Sequence, residues 1–325
     1  MSIKSGLLTE QVAYKPFRYP WAYNAWKTQQ QIHWLADEVP LSEDVNDWKH
    51  KLTDTEKNLL TQIFRFFVQS DVEVSNCYHK FYMSVFKPTE VLMMLSAFNS
   101  TETIHIDAYA HLIDTLGLPE AEYNAFLEYS EMKDKHDFMR SVNIKDNFNV
   151  AKTMGIFGGF VEGLALFASF AMLLNWQRFN KLKGVGQIIA WSVRDETLHC
   201  NSIIKLFHAF VQENNIDKKR LHKELTDSCK LVVAQEDKFI DLAFKLGPVE
   251  GMSANDIKQY IRYIANLRLS QLGIKEIYDV KVNPLPWLDE QLNAVEHMNF
   301  FEGRATEYSK ADTTGDWDDA FGDDK

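Results

Sequence analysis

Two Glu-x-x-His pairs stand out by residue type and spacing, Glu102–His105 and Glu196–His199. On a helix, positions i and i+3 share a face, so each carboxylate and imidazole could grip one metal ion together. Ten His and 22 Glu in 325 residues would produce about 0.7 such pairs by chance, so the pairs alone decide little. Two further acids give them meaning. Asp71 shares a helical face with Phe64, Phe67, Val68, Val74, Ser75 and Tyr78, whereas Glu73 lines up with Gln62, Gln69 and Lys80. Glu162 is the only acid between Asp146 and Asp195 and sits among Gly158, Gly159, Leu166 and Phe170. Asp71 precedes Glu102 by 31 residues and Glu162 precedes Glu196 by 34, which is the spacing of a helical hairpin used twice. Unpaired carboxylates in a core each cost several kcal/mol, and two divalent cations would neutralise four of them. Carboxylate-rich donors with one imidazole per ion suit iron or manganese better than a structural zinc. Either pair alone reads equally well as a solvated helix acid beside a packed core histidine. For all six residues together, that reading leaves buried acids without partners.

The elements that must position these residues are helices. Asp54 to Phe86 carries apolar residues at three- and four-residue spacing after Thr53, with Glu56 completing a capping box. Pro88, Thr89 and Glu90 open a second helix that Gly117 should stop, with Pro119 beyond it. Further helices are predicted at about 122–139, 149–180, 184–212, 217–245 and 254–273, and alternating strand patterns are scarce. The expected fold class is all-α: a ferritin-like helical bundle with a central dimetal carboxylate site. One acid from each of two helices and Glu-x-x-His from each of two others is the donor arrangement already known for such bundles. Three regions are expected: an N-terminal arm over 1–30, a single helical domain over 31–300, and a flexible acidic tail over 301–325. The arm is rich in Tyr, Trp and Gln without steady periodicity. Six aspartates with Trp317 and Phe321 in the last fourteen residues cannot bury enough apolar surface to fold alone.

A dimetal bundle can store metal, oxygenate or desaturate a substrate, or make a radical, and the ligands do not choose. Tyr109 lies four residues after His105 and seven after Glu102, on the ligand face. Its phenol could be oxidised to a radical, or could fill core space and donate a hydrogen bond.

The runs Ser100-Thr101-Glu102-Thr103-Ile104-His105 through Tyr109, Val161-Glu162-Gly163, and Arg194-Asp195-Glu196-Thr197-Leu198-His199 resemble the small, radical-generating subunit of class I ribonucleotide reductase. The likeness extends from Trp34 to the tail. It implies Asp71, Glu102 and His105 as ligands of one metal ion, and Glu162, Glu196 and His199 as ligands of the other. It also implies Tyr109 as the radical tyrosine, Trp34 as the tryptophan that passes an electron toward the surface, and Asp195 as its hydrogen-bond link to His105. The resemblance further implies a homodimer whose two metal ions per chain, Fe or Mn, react with O2 or a reduced oxygen species and store an oxidising equivalent. A separate large catalytic subunit, docked by the acidic C-terminal tail and reached through a redox tyrosine matched by Tyr308, would use that equivalent to reduce ribonucleotides. Ser192 and Leu166 stand where the family often has larger apolar groups, which leaves open whether the equivalent rests on Tyr109 or on the metals. A stand-alone dimetal oxidase or oxygenase and a ferritin-like metal store are the alternatives.

Composition narrows the remaining classes. Hydrophobic residues make up 46% and charged residues 25%, enough for a large core, and the net charge of -11 disfavours a nucleic-acid partner. Cys77, Cys200 and Cys229 lie far apart with no Cys-x-x-Cys, and read as reduced thiols of a cytoplasmic protein. No apolar signal segment marks Met1 to Tyr19. Met154 to Trp176 is long enough to cross a bilayer, but Glu162 would then sit near mid-membrane; a buried central helix is the expected reading, with no membrane partner.

Overall fold

The computed structural model describes residues 6–119, 122–125, 128–140 and 144–292, excluding the side chains at 68, 69, 122 and 123. Helices α1 (Pro20–Gln31) and α2 (Ser42–His50) precede α3 (Asp54–Asn76), which runs on through a π-helical turn, Cys77–Tyr82, into α4 (Met83–Val85). Helix α5 (Thr89–Leu116) is followed by α6 (Glu122–Ala125) and α7 (Ser130–Arg140). The most apolar stretch comprises α8 (Asn147–Met154), a π-helical segment Gly155–Ala165, and α9 (Leu166–Leu174). Helices α10 (Lys183–Glu213), α11 (Lys218–Ala243) and α12 (Ala254–Gln271) follow. Among the described residues there is no strand, only an isolated bridge between Val249 and Met252. The chain divides after Pro284; of the second unit, Leu285–Lys325, only 285–292 are described, with 286–292 helical.

Helix α3 packs on α5, and the π-helical segment packs on α10, α11 and α12. The segment Asn147–Phe179 is apolar and long enough to span a bilayer, yet its central stretch, 153–176, is wholly buried. It is the central helix of the bundle, apolar all round because protein surrounds it.

Local signals explain the ends. Thr53 accepts from the Glu56 amide and Glu56 returns a bond to the Thr53 amide, closing the capping box. Gly117 ends α5 at φ +72°, a left-handed position open to glycine without strain. Two expected helices differ. The helix expected over 122–139 is broken: Tyr129 is held by Arg65, whose Nη1 donates to its hydroxyl at 2.8 Å, and its carbonyl accepts from Met132 and Lys133, so a new helix starts at Ser130. Residues 20–31, nearly all within the stretch 1–30 read as an aperiodic arm, form α1 on α5 and α10. Its buried positions, Ala22, Ala25 and Gln29, follow helical spacing, but two small alanines and a glutamine make no hydrophobic stripe. Ahead of α1, the Leu7 amide donates to Glu213, and the Arg18 and Tyr19 amides donate to Glu90.

Two glycines differ in what holds them. A Cβ at Gly163 would lie 2.7 Å from Cys200 Sγ and 2.9 Å from the Gly158 carbonyl, whereas one at Gly117 would meet nothing within 4 Å. Gly163→Ala is expected to lower stability by about 1–3 kcal/mol through overpacking. Gly117→Ala should cost about 1 kcal/mol through its left-handed backbone alone. Urea midpoints of the two variants check the ranking.

Candidate metal centre

All six expected ligands come from the central helices and are buried: Asp71 on α3, Glu102 and His105 on α5, Glu162 on the π-helical segment, and Glu196 and His199 on α10. Glu102, Glu162, Glu196 and His199 offer ligand atoms that all lie within 4.8 Å of one another. The two imidazoles divide the site into halves. His105 Nδ1 lies 3.6 Å from Glu102 Oε2 and 3.2 Å from Glu196 Oε1. His199 Nδ1 lies 3.0 Å from Glu102 Oε1 and 3.9 Å from Glu196 Oε2. Each of these glutamates therefore turns one oxygen toward each histidine. Asp71 interacts electrostatically with Glu102, His105 and Glu196, whereas Glu162 joins the group with His199.

The orphaned atoms test whether ions fit. Both oxygens of Glu102 and Glu196, one each of Asp71 (Oδ2) and Glu162 (Oε2), and both histidine Nδ1 atoms are buried without a hydrogen-bond partner. Such groups are normally satisfied, because each buried unmet group costs about 1–3 kcal/mol. Eight unmet donor atoms converging from six residues, all of oxygen or imidazole type, fit two divalent cations.

The far sides of the imidazoles are held. Asp195 Oδ2 accepts from the Trp34 indole at 2.7 Å and lies 3.4 Å from His105 Nε2. Gln29 Oε1 lies 3.1 Å from His199 Nε2, and its amide nitrogen reaches Asp195 Oδ1 at 3.4 Å. With Nε2–H engaged in this way, each ring presents Nδ1 to the carboxylates, the tautomer a metal ligand needs. Trp34, just past α1, is 2% exposed, and its ring stacks at a tilt on Trp191 at 5.2 Å between centroids.

Burial and mutual repulsion set the electrostatics. Burial pushes Asp71, Glu162 and Glu196 above the ordinary carboxylate range, and the neighbouring glutamate charges add to the effect. Burial acts the same way on Glu102, but the imidazoles of His105 and His199 beside it outweigh burial and bring Glu102 below its usual value. Burial opposes a charged His105, yet Asp195, Glu102 and Glu196 carry its imidazole well above the usual range. Tyr109 is also buried, 6.3 Å from the His105 ring and 4.7 Å from Phe67 between centroids. Burial pushes its phenol up, against the opposing influence of His105 and the nearby Ser192 hydroxyl. Ser192 thus faces the tyrosine, while Leu166 lines a small cavity with Ser70 and Phe160. Tyr308 and the acidic tail lie outside the described residues.

Three contributors were not singled out by sequence. Gln29 lay in the presumed arm. Ser70 donates to Asp71 Oδ1 at 3.1 Å, and Tyr78 donates to Glu162 Oε1 at 2.6 Å. Tyr78 is seven residues after Asp71 on its face, a spacing that could have flagged it.

The family model described as "Ribonucleotide reductase, small chain" matches residues 11–284. The chain belongs to that family. It is 43% identical, over 96% of this chain and 88% of the relative, to a probable ribonucleoside-diphosphate reductase small subunit of Invertebrate iridescent virus 3. Its fold is similar to that of the ribonucleotide reductase R2 subunit from Clostridium botulinum: TM-score 0.82, 22% identity, 89% of this chain and 94% of that one. It is also similar to the dimanganese(II) NrdF of Streptococcus sanguinis: TM-score 0.75, 19% identity, 85% of this chain and 96% of that one. The bundle is thus the ferritin-like helical fold of ribonucleotide reductase small subunits, and its buried carboxylate and histidine cluster suits a dimetal site.

Folding raises the proton affinity of Asp71, Glu162, Glu196 and His105. Their contribution to stability is therefore complete at low pH and is lost as pH climbs through their folded values, whereas Glu102 and Asp195, shifted down, already contribute fully above about pH 5. The metal-free protein should melt progressively lower from about pH 5 toward pH 8, and Mn(II) should restore most at the upper end. Glu162→Gln should flatten the slope in calorimetry of the metal-free protein.

Proposed function

We propose that this small subunit works by holding two metal ions, iron or manganese, with Asp71, Glu102 and His105 on one side and Glu162, Glu196 and His199 on the other. As a member of the ribonucleotide reductase small-chain family, the protein is the small subunit of a ribonucleoside-diphosphate reductase and acts with a large subunit. The observation that carries the finer reading is the hydrogen-bonded chain from Trp34 through Asp195 to His105, with bonds of 2.7 and 3.4 Å. A storage site or an oxygenase pocket has no need of an indole wired to one ligand. When bound, the ions would supply the oxidising chemistry, reacting with O2 or a reduced oxygen species so that an oxidising equivalent is stored.

The protein's own residues do the rest. Asp195 and Gln29 fix both imidazoles. Phe67 and the surrounding apolar core keep water from Tyr109, which is 3% exposed, so an oxidised phenol there would be shielded from solvent reductants. Trp34 offers an electron route outward, and Tyr308 in the acidic tail continues it to the large subunit. A dinuclear centre of manganese finds support in the fold likeness to a dimanganese(II) protein, and iron in the same donor set. Homodimerisation, docking through the tail, and a cytoplasmic location complete the reading.

If the equivalent is stored on the phenol, Tyr109→Phe should bind two metals and consume oxidant normally, yet show no tyrosyl signal in electron paramagnetic resonance and only background nucleotide reduction. Retained turnover would place the equivalent on the metals.

Tyr308→Phe should leave metal loading and oxidant consumption untouched while abolishing nucleotide reduction. Truncation after Lys310 should weaken binding to the large subunit, and a peptide of residues 311–325 should compete for it, less well as salt rises if the aspartates contribute. Full reduction by the truncated protein at limiting large subunit would exclude a docking role for the tail.

A further inference from the structure

The four candidate carboxylates are not equivalent. Glu102 and Glu196 each have both oxygens buried and unmet, whereas Asp71 and Glu162 have only one. Ser70 occupies the second oxygen of Asp71, and the Tyr78 phenol occupies the second oxygen of Glu162 through a bond of 2.6 Å. Resting on the two-metal reading above, we propose that Tyr78 is a positioning residue that makes Glu162 a one-oxygen ligand, with Oε2 given to the metal and Oε1 withheld.

Three observations support this. First, the phenol cannot easily turn away. Its ring is 0% exposed and is met edge-on by Tyr82, Phe98 and His199, with centroids 5.5, 6.2 and 6.1 Å away. Second, both ends of the bond lie in π-helical backbone, Tyr78 in Cys77–Tyr82 and Glu162 in Gly155–Ala165. A π-turn inserts a residue and is uncommon outside functional sites; here two of them flank one hydrogen bond. Third, the alternative is costly. A metal ion that took both Glu162 oxygens would compete with the phenol for the lone pairs of Oε1, and loss of that bond in a dry core would leave the O–H unmet. The phenol therefore selects against chelation or bridging by Glu162 and leaves more of that ion's coordination sphere for an exogenous ligand. Ser70 does the same for Asp71 with a longer bond of 3.1 Å from a neighbouring residue, so the two halves of the site share one logic.

Tyr82 provides the control, since it lies in the same π-turn and is buried, but its hydroxyl makes no hydrogen bond to Glu162 or to any other candidate ligand. The test is anaerobic titration of the full-length chain and its variants with Mn(II), read by electron paramagnetic resonance, and with Co(II), whose visible spectrum reports coordination. Tyr78→Phe should keep the fold, weaken one of the two ions about tenfold, and shift the Co(II) spectrum of that ion alone. Tyr82→Phe should match the wild type in both readouts. Unchanged affinity and spectrum in Tyr78→Phe would overturn the proposal, as would the same change in Tyr82→Phe, which would point to general disturbance of the turn. Should Tyr78→Phe fail to fold, a fluorinated tyrosine at position 78 keeps the ring shape and alters donor strength. The affinity of the same ion must then move, and if it does not, the proposal fails. A wild-type chain that binds fewer than two ions would overturn the two-metal reading and this assignment with it, a result distinct from all the others.

Discussion

Four carboxylates are gathered in an apolar helical core, and the rest of the structure answers to that concentration of negative charge. Asp71, Glu102, Glu162 and Glu196 are each 1% exposed or less, in a core built of phenylalanine, leucine and isoleucine. Uncompensated, such a group of ions would cost far more than a typical domain's net stability of about 5–15 kcal/mol. Two protein responses are visible without any metal. Protons are drawn onto Asp71, Glu162 and Glu196, and His105 is driven toward its cationic form. Both responses are ones that a pair of divalent cations would replace, which is why a metal-loading site and an acid-stabilised fold are two descriptions of one arrangement.

The layer behind the ligands decides what the site can do. Asp195 faces His105, Trp34 and Gln29 at once, and Gln29 carries the link on to His199. Burial alone would raise Asp195, but hydrogen bonding to His105, with Arg194 and the Trp34 indole, holds it below the usual carboxylate range. It is therefore an anion that orients one imidazole and couples it to an indole.

Helix geometry bends to accommodate the site. Side chains of neighbouring helices bond to carbonyls of the π-helical segment Gly155–Ala165: Cys200 Sγ donates to the Gly158 carbonyl and Arg268 Nε to that of Gly163, both at 2.7 Å. These donors crowd against Gly163, so the glycine beside Glu162 is needed for close approach rather than for flexibility. The backbone irregularity, the small residue and the two donors form one unit that presents Glu162 to its partners.

Much was legible in the sequence because helical periodicity and chemical type are local properties. The all-α class, the Thr53 capping box, the Gly117 stop and the grouping of Asp71 and Glu162 with two Glu-x-x-His pairs all follow from spacing, since an acid on an apolar face must find compensation wherever the chain takes it. Trp34, one of eight tryptophans, could be chosen only by resemblance, because nothing local says that it will meet Asp195 across 161 residues. Gln29 and Tyr78 remained hidden for related reasons. Gln29 lies on a helix whose buried face is too small and polar to register as periodic, and Tyr78, though on the face of Asp71, meets Glu162 across 84 residues that no local spacing relates. Which oxygen of Glu162 stays free, and which imidazole nitrogen faces inward, were likewise decided only by tertiary packing, because hydrogen-bond partners 84 to 170 residues away determine them.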